Sequence, residues 1–527
     1  MSARRPQGWD AIVVGAGHNG LVCAAYLGLA GLRVLVLEKR ESVGGMATTS
    51  EILPGVRVPT LAHTVGRMSA KVMRDLRLRD HGLTLIQPGV RVFAPGPGGG
   101  ATVLWADASK TAVGLGKDGD AYLAADRLVR QLGTALGELM GRAPVDLGAP
   151  TLADSVRSLR SPARSSSAEL LRYMPMAVRD LVGEWFASDA LQAAVAARGV
   201  LLTGLAPRMP GTAGVLLADL AGNDGGLAGQ SVFARGGPGA VADALASAVT
   251  AAGGEIRLGA AVAKVRRDGD QARGVALASG EEINAPIVVS NLDPRTTLLD
   301  LVDPEVLGPR LGWRAGNIRA HGVTAKVNFA LSDIPAFTAA KGNVQLLQGR
   351  ILVAPSMRHL DLAMRAAKYG DLAQEPLLEV TMPSLLDPDL VAPTGRGKAS
   401  KVRHVMSVIA QAAPFSVNAR ELGDIVTATL EAYAPGIGDL VVQRQVITPR
   451  DIEGEYGASG GHPMHAEVAL DQFYAWRPLH GLGRYRMPLR GLYLAGAGAH
   501  PGGGVTGLPG RLAAAAVLED RGRKVRT

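Results

Sequence analysis

At 527 residues the chain exceeds what one hydrophobic core sustains, so more than one domain is expected. Apolar residues at 47% and charged residues at 20% are those of a globular protein and exclude extensive disorder. The formal charge of +9 comes from scattered lysines and arginines with no basic run interleaved with aromatics, which excludes nucleic-acid binding. The lone Cys23 excludes an internal disulfide and a cysteine-based metal site. No stretch approaches the roughly 18 uninterrupted apolar residues of a membrane span. The segment Met1 to Trp9 carries Arg4-Arg5 but no apolar stretch of signal-peptide type, so a cytoplasmic location is expected. The basic cluster Arg521, Arg523, Lys524 and Arg526 reads as a solvated tail.

The first element is a buried parallel strand over Asp10 to Gly15. Gly15-Ala16-Gly17-His18-Asn19-Gly20 follows as GxGxxG and feeds a helix over Leu21 to Ala30, closed by Gly31. A second strand, Arg33 to Glu38, ends in an acid. Gly15 permits the tight turn, Gly17 lets backbone approach a pyrophosphate, and Gly20 lets the helix pack closely on the strand. The helix start offers free N–H groups and a positive dipole end to phosphates. Glu38 falls where a carboxylate hydrogen-bonds a ribose hydroxyl, and it disfavours a 2′-phosphate. Cys23, on the helix, reads as a small apolar filler. Lys39 to Thr48 then brings a second glycine pair, Gly44-Gly45, before Met46.

Further along, Asp120 to Gly141 and Ser167 to Leu202 have helical periodicity. Within the latter, Arg172 to Phe186 is apolar enough either to pack in a core or substrate pocket or to lie on a membrane surface. Gly236-Gly237-Pro238-Gly239, a helix over Ala240 to Ala252, and strands near Glu255 to Gly259, Ala261 to Arg266, Arg273 to Ala278 and Ile287 to Asn291 form a second glycine-turn unit. Gly322 to Leu331 reads as a strand carrying Lys326, and Leu377 to Pro383 and His404 to Ala410 as two more. Asp387 and Asp389 sit in a proline-flanked turn that they are expected to cap. Finally Gly491 to Gly496 reads as a strand, Ala497 to Gly504 as a glycine-dense loop, and Val505-Thr506-Gly507-Leu508 as the opening of a helix to Leu518. Such a loop feeding a helix start is a second anion site, and Pro509 is tolerable in a first turn.

These motifs resemble the flavin amine oxidase and phytoene desaturase superfamily. Met46 stands where amine oxidases usually have Arg, which points toward the desaturase side. The resemblance to phytoene desaturase-like FAD proteins, including the pyridine nucleotide-disulfide oxidoreductase domain-containing branch, runs colinearly through nearly the whole chain. It is carried by Gly17 to Gly20, Asp75 to Leu78, His81 to Leu83, Val380 to Pro388, Ala392-Pro393, Ala413-Pro414, Gly460 to His462, Leu470 to Gln472, Arg477-Pro478 and Gly498 to Gly507.

The resemblance implies an α/β fold: a discontinuous Rossmann-type FAD-binding domain (1–70, 228–300 and 481–527) with an interleaved α+β substrate domain (71–227 and 301–480). It implies FAD held by Gly15, Gly17, His18, Asn19, Gly20, Glu38, Lys39, Gly44, Gly45 and Met46. Val262 is implied to meet the adenine, and Gly496, Gly498, Gly504, Val505 and Thr506 the ribityl chain and flavin pyrimidine edge. Some relatives carry an Asp in that last loop; Ala497 and Ala499 leave none here, so backbone groups must serve. His500 is open between shaping the loop and approaching the flavin.

Flavin chemistry needs a C–H held over N5 and a route for the accompanying proton. Lys326 is similar in position to the amine oxidase lysine that holds a water at N5, so it is the first catalytic candidate, against a surface lysine on an edge strand. His465 is the second, against a packing role; the branch commonly has His-Gly there, and this chain has Ala466. The activity implied is FAD-dependent dehydrogenation (desaturation) of a hydrophobic substrate. Amine oxidation and a non-redox FAD role, as isomerase or binding protein, are the alternatives.

Overall fold

The computed structural model describes residues 8–146, 166–392 and 397–523. Arg4-Arg5, Pro393, Lys524 and Arg526 lie outside the described residues. The chain is α/β. Strand β1 (Ala11–Val14), helix α1 (His18–Leu29) and strand β2 (Val34–Leu37) form the opening βαβ unit. Helix α2 (Gly239–Ala251), β3 (Glu255–Arg257) and β4 (Val288–Ser290) come from the middle of the chain. Strand β5 (Leu492–Leu494) and helix α3 (Leu508–Asp520) come from its end.

The five strands make one parallel sheet in the order β5-β4-β1-β2-β3. In register, Ile12 stands between Leu35 and Val288, and Val289 beside Tyr493. Every residue of β1 and β2 is buried, in one core with α1, α2, α3 and the three-stranded sheet Val262–Asp268, Gln271–Leu277 and Glu282–Asn284, which is why their sequences are continuously apolar rather than alternating. Cys23 is fully buried on α1 against this sheet, and burial pushes its thiol pKa up, away from reactivity.

A seven-stranded mixed sheet supports the second half of the molecule. Its order is Val441–Ile447, Thr324–Leu331, His404–Gln411, Leu378–Thr381, Arg350–Val353, Val90–Pro95 and Ala101–Trp105. The Lys326 strand therefore has a partner on each side and is no edge strand.

A helical layer packs beside that sheet, led by the long helix Gly119–Met140. Ser167 to Leu202 does not form one helix. It divides into Ser167–Tyr173, Val178–Trp185 and Asp189–Ala196. Pro175 cannot donate a helical N–H after the first, and the Asp118 carboxylate takes the N–H groups of Ala187 and Ser188 after the second. Tyr173, Val178, Leu181, Val182 and Phe186 are buried in the helical core, whereas neighbouring Leu171 is exposed. No helix among the described residues is long and apolar enough to cross a membrane.

Asp387 and Asp389 do not cap their own turn. The buried Asp387 carboxylate instead accepts from the Gly236 N–H at 2.6 Å, and Asp389 lies exposed 4.0 Å from Arg235. A tertiary acceptor for a distant glycine turn outcompetes the local cap.

Candidate cofactor and substrate site

The start of α1 opens onto a cleft at the carboxyl ends of β1, β2 and β4, where ligands bind in open α/β sheets. Gly15 adopts φ +94°, a conformation costly for any side chain. A Cβ on Gly17 would stand 2.6 Å from Asn291 Nδ2, and one on Gly20 would stand 2.3 Å from the Gly15 carbonyl oxygen. Gly15, Gly17, His18 and Asn19 line the cleft, while Gly20 faces the strand and only permits helix packing. Asn19 Oδ1 is buried with no partner, an acceptor left for a ligand hydroxyl or N–H.

Glu38 is buried at the end of β2. Its Oε2 accepts from Ala16 N–H at 2.7 Å and its Oε1 from Arg40 N–H at 3.0 Å, so it fixes the glycine loop while lining the cleft. The second glycine pair docks directly on the first loop. Gly44 N–H donates to Ala16 O at 2.8 Å, and a Cβ on Gly45 would stand 3.3 Å from Gly17 Cα. Lys39, Gly44, Gly45, Met46 and Val262 all line the cleft.

Four further cleft residues escaped the sequence reading. Arg40 lies over the Tyr456 ring, 4.5 Å from its centroid, and both line the cleft. Asn291 and Asp293 follow β4, and the available signal was their place at the carboxyl end of a parallel strand. Asp293 also accepts from the backbone and side chain of Ser459, tying the later chain to this end of the sheet.

The C-terminal loop meets the start of α1. His18 Nε2 lies 3.2 Å from the Gly504 carbonyl oxygen, and a Cβ on Gly510 would stand 2.0 Å from Asn19 O. The two helix starts are thus in contact. Helix α3 begins at Leu508 rather than Val505, because Thr506 Oγ1 accepts from Leu508 N–H and Gly507 turns the chain at φ +71°. Gly504 and Val505 line the inner cavity described below, and Ala497 lines both. Gly496 and Gly498 line neither: a Cβ on them would meet Leu292 O at 2.6 Å and the Pro294 ring at 2.4 Å, so they let the loop lie against the sheet. Thr506 serves as a cap, away from the cavities. His500 bonds to Arg142 O at 3.0 Å and stands edge-on to Tyr474, which makes it a loop-shaping residue.

Beyond His18, Met46, Pro463 and Ala497, which line both spaces, lies a smaller, largely apolar inner cavity of about 100 Å³. Lys326 lines it, 1% exposed, its Nζ without a hydrogen-bond partner. Burial lowers its pKa well below the ordinary lysine value; the Glu379 carboxylate pulls the other way but less strongly. Glu379 is committed elsewhere, to His63 Nε2 at 2.9 Å, Arg350 Nη1 at 3.0 Å and Arg198 Nη1 at 3.2 Å. Burial opposes its ionisation, yet Arg350 and Arg198 hold its carboxyl well below the usual range.

His465 does not share the inner cavity with Lys326. It lines the dinucleotide cleft at φ +62°, with Nδ1 unpartnered. Burial lowers its pKa to about 4 against the pull of Asp293, and burial likewise lowers His18 to about 4, helped by His465. Both rings are neutral at pH 7. The cleft therefore offers helix-start N–H groups, buried acceptors and neutral donors, a chemistry that fits the FAD implied by the sequence.

The opening unit matches the family model of an NAD(P)-binding Rossmann-like domain over residues 13–77. Across 551 residues, 97% of this chain and 94% of the relative, it is 33% identical to pyridine nucleotide-disulfide oxidoreductase domain-containing protein 2 of Rattus norvegicus. It is 26% identical to a lycopene-forming phytoene desaturase of a Paracoccus species, covering 98% of each chain. A triple mutant of putrescine oxidase superposes with a TM-score of 0.64 at 16% identity, over 98% of both chains, a likeness of fold. The chain belongs to the pyridine nucleotide-disulfide oxidoreductase domain-containing protein 2 family, within the FAD-type oxidoreductases.

Proposed function

We propose that this protein uses FAD to dehydrogenate a hydrophobic organic substrate lying in the inner cavity beside Lys326. The observation that carries the reading is an apolar cavity with a lysine whose Nζ has no partner, sharing His18, Met46, Pro463 and Ala497 with the dinucleotide cleft. Glu38, Lys39 and Val262 would hold the adenosine end, the Gly17 and Gly44-Gly45 loops the phosphates, and His18, Met46, Gly504 and Val505 the flavin end.

When bound, FAD supplies the hydride acceptor at N5. The chain excludes water, orients the substrate and takes up the proton that leaves with the hydride. Lys326 Nζ, whose pKa burial lowers well below the ordinary lysine value, is the group on the cavity wall proposed to accept that proton. His18 and His465, both neutral, orient rather than titrate.

Amine oxidation finds less support. An amine held between aromatic rings needs such rings over the flavin, and among the described residues no Phe, Tyr or Trp lines the inner cavity. Anaerobic mixing with a polyene precursor should bleach the flavin absorbance, and mixing with a primary amine should not. Bleaching by the amine alone contradicts the proposal.

A further inference from the structure

We propose that the substrate is a hydrophobic carboxylate, its tail in the inner cavity and its carboxylate in a small neighbouring pocket walled by Arg67, Arg198 and Arg477. The inference rests on the reading above, that the inner cavity takes the substrate. The pocket measures about 40 Å³ and shares Leu202 and Met464 with the inner cavity. A water needs roughly 10–15 Å³, so there is room for the oxygen pair of a carboxylate.

Charge is the second argument. Three guanidinium groups face this space against one carboxylate on its wall, Asp219. Arg198 already holds Asp219 in a close ion pair, and Arg67 Nε reaches it only at 3.9 Å. Arg198 also pairs with Glu379 at 3.2 Å, and Glu467 is occupied by the N–H groups of Gly204 and Val468.

Arg477 is the third. It is 1% exposed, and its Nη groups donate only to backbone carbonyls, among them Met464 at 2.9 Å and Ala497 at 2.8 Å. Its Nε has no partner and faces the pocket wall, 3.2 Å from where a Cβ on Gly502 would stand. Burial lowers its pKa to about 10, so it remains a cation at neutral pH. A buried guanidinium lacking a carboxylate partner is costly, and an anionic ligand would supply the missing charge-assisted bonds.

The test compares decanoate with decanol on the FAD-loaded protein, read by calorimetry and by perturbation of the flavin spectrum. Decanoate should bind at least about ten-fold more tightly and shift the flavin spectrum. Arg67→Gln should erase that preference while leaving decanol binding unchanged, and Arg67→Lys should restore part of it. Equal affinity for acid and alcohol, or indifference to Arg67→Gln, overturns the proposal. So does decanoate binding that leaves the flavin spectrum untouched, or acetate binding as tightly as decanoate. Calorimetry reads the same selectivity on protein without FAD, so failure to hold the cofactor would sink the reading above and leave this test standing.

Discussion

Lys326 and Glu379 stand in one cross-strand row, each paired with Ile409 from opposite sides. They therefore project from the same face of the sheet, two strands apart, yet form no ion pair. Glu379 is consumed by His63, Arg198 and Arg350, which leaves Lys326 Nζ without a partner in the apolar cavity. In the proposed mechanism, that division of charge is what would let Lys326 take up the proton.

Lys326→Met should leave FAD bound and slow anaerobic flavin reduction by substrate about 100-fold or more, the scale of a lost general base. Stopped-flow measurement of both half-reactions checks this. Identical rates would make Lys326 a packing residue.

The same lysine should mark the pH dependence of stability. Its native pKa is lowered, so between that value and about 10.4 the unfolded chain binds a proton that the native protein does not. Stability must then rise with pH across that window, by about 1.4 kcal/mol per unit from this group. Lys326→Met should flatten the slope in urea titrations from neutral to alkaline pH; an unaltered slope would mean that the lysine is charged in the native state.

Glu379→Gln removes the one carboxylate shared by Arg198, Arg350 and His63. Breaking a buried pair on one side costs about 3–5 kcal/mol, and denaturant unfolding should show a loss of that order. A loss below 1 kcal/mol would show that water already compensates Arg350.

Glu38→Ala should weaken FAD retention about ten-fold or more, through a lost ribose acceptor and a looser Ala16 turn. Equilibrium dialysis of the variant reads this directly, and full occupancy at wild-type affinity would remove Glu38 from the cofactor site.

The parts legible in the sequence were those whose physics is local. GxGxxG between a buried strand and a helix is a matter of turn sterics, so the cradle around Gly15 to Gly20 and the acid at Glu38 could be read residue by residue. Lys326 could be placed on a strand, but its isolation depends on His63, Arg198, Arg350 and Glu379 meeting from four distant segments, which no local pattern encodes. Arg40 finds Tyr456 across most of the chain for the same reason. The proline-flanked turn at Asp387 points to a local cap, whereas its partner, Gly236, lies 151 residues away in the sequence. The segment Ser167 to Leu202 kept its helical period through breaks imposed by Pro175 and by the Asp118 carboxylate, so periodicity alone could not find them.

Two helix starts from opposite ends of the chain, joined at His18 and Gly504, are expected to hold one FAD. Denaturing the purified protein and identifying what it releases tests this most directly. One FAD per chain is the expected result. A colourless protein that takes up no FAD on reconstitution would contradict it.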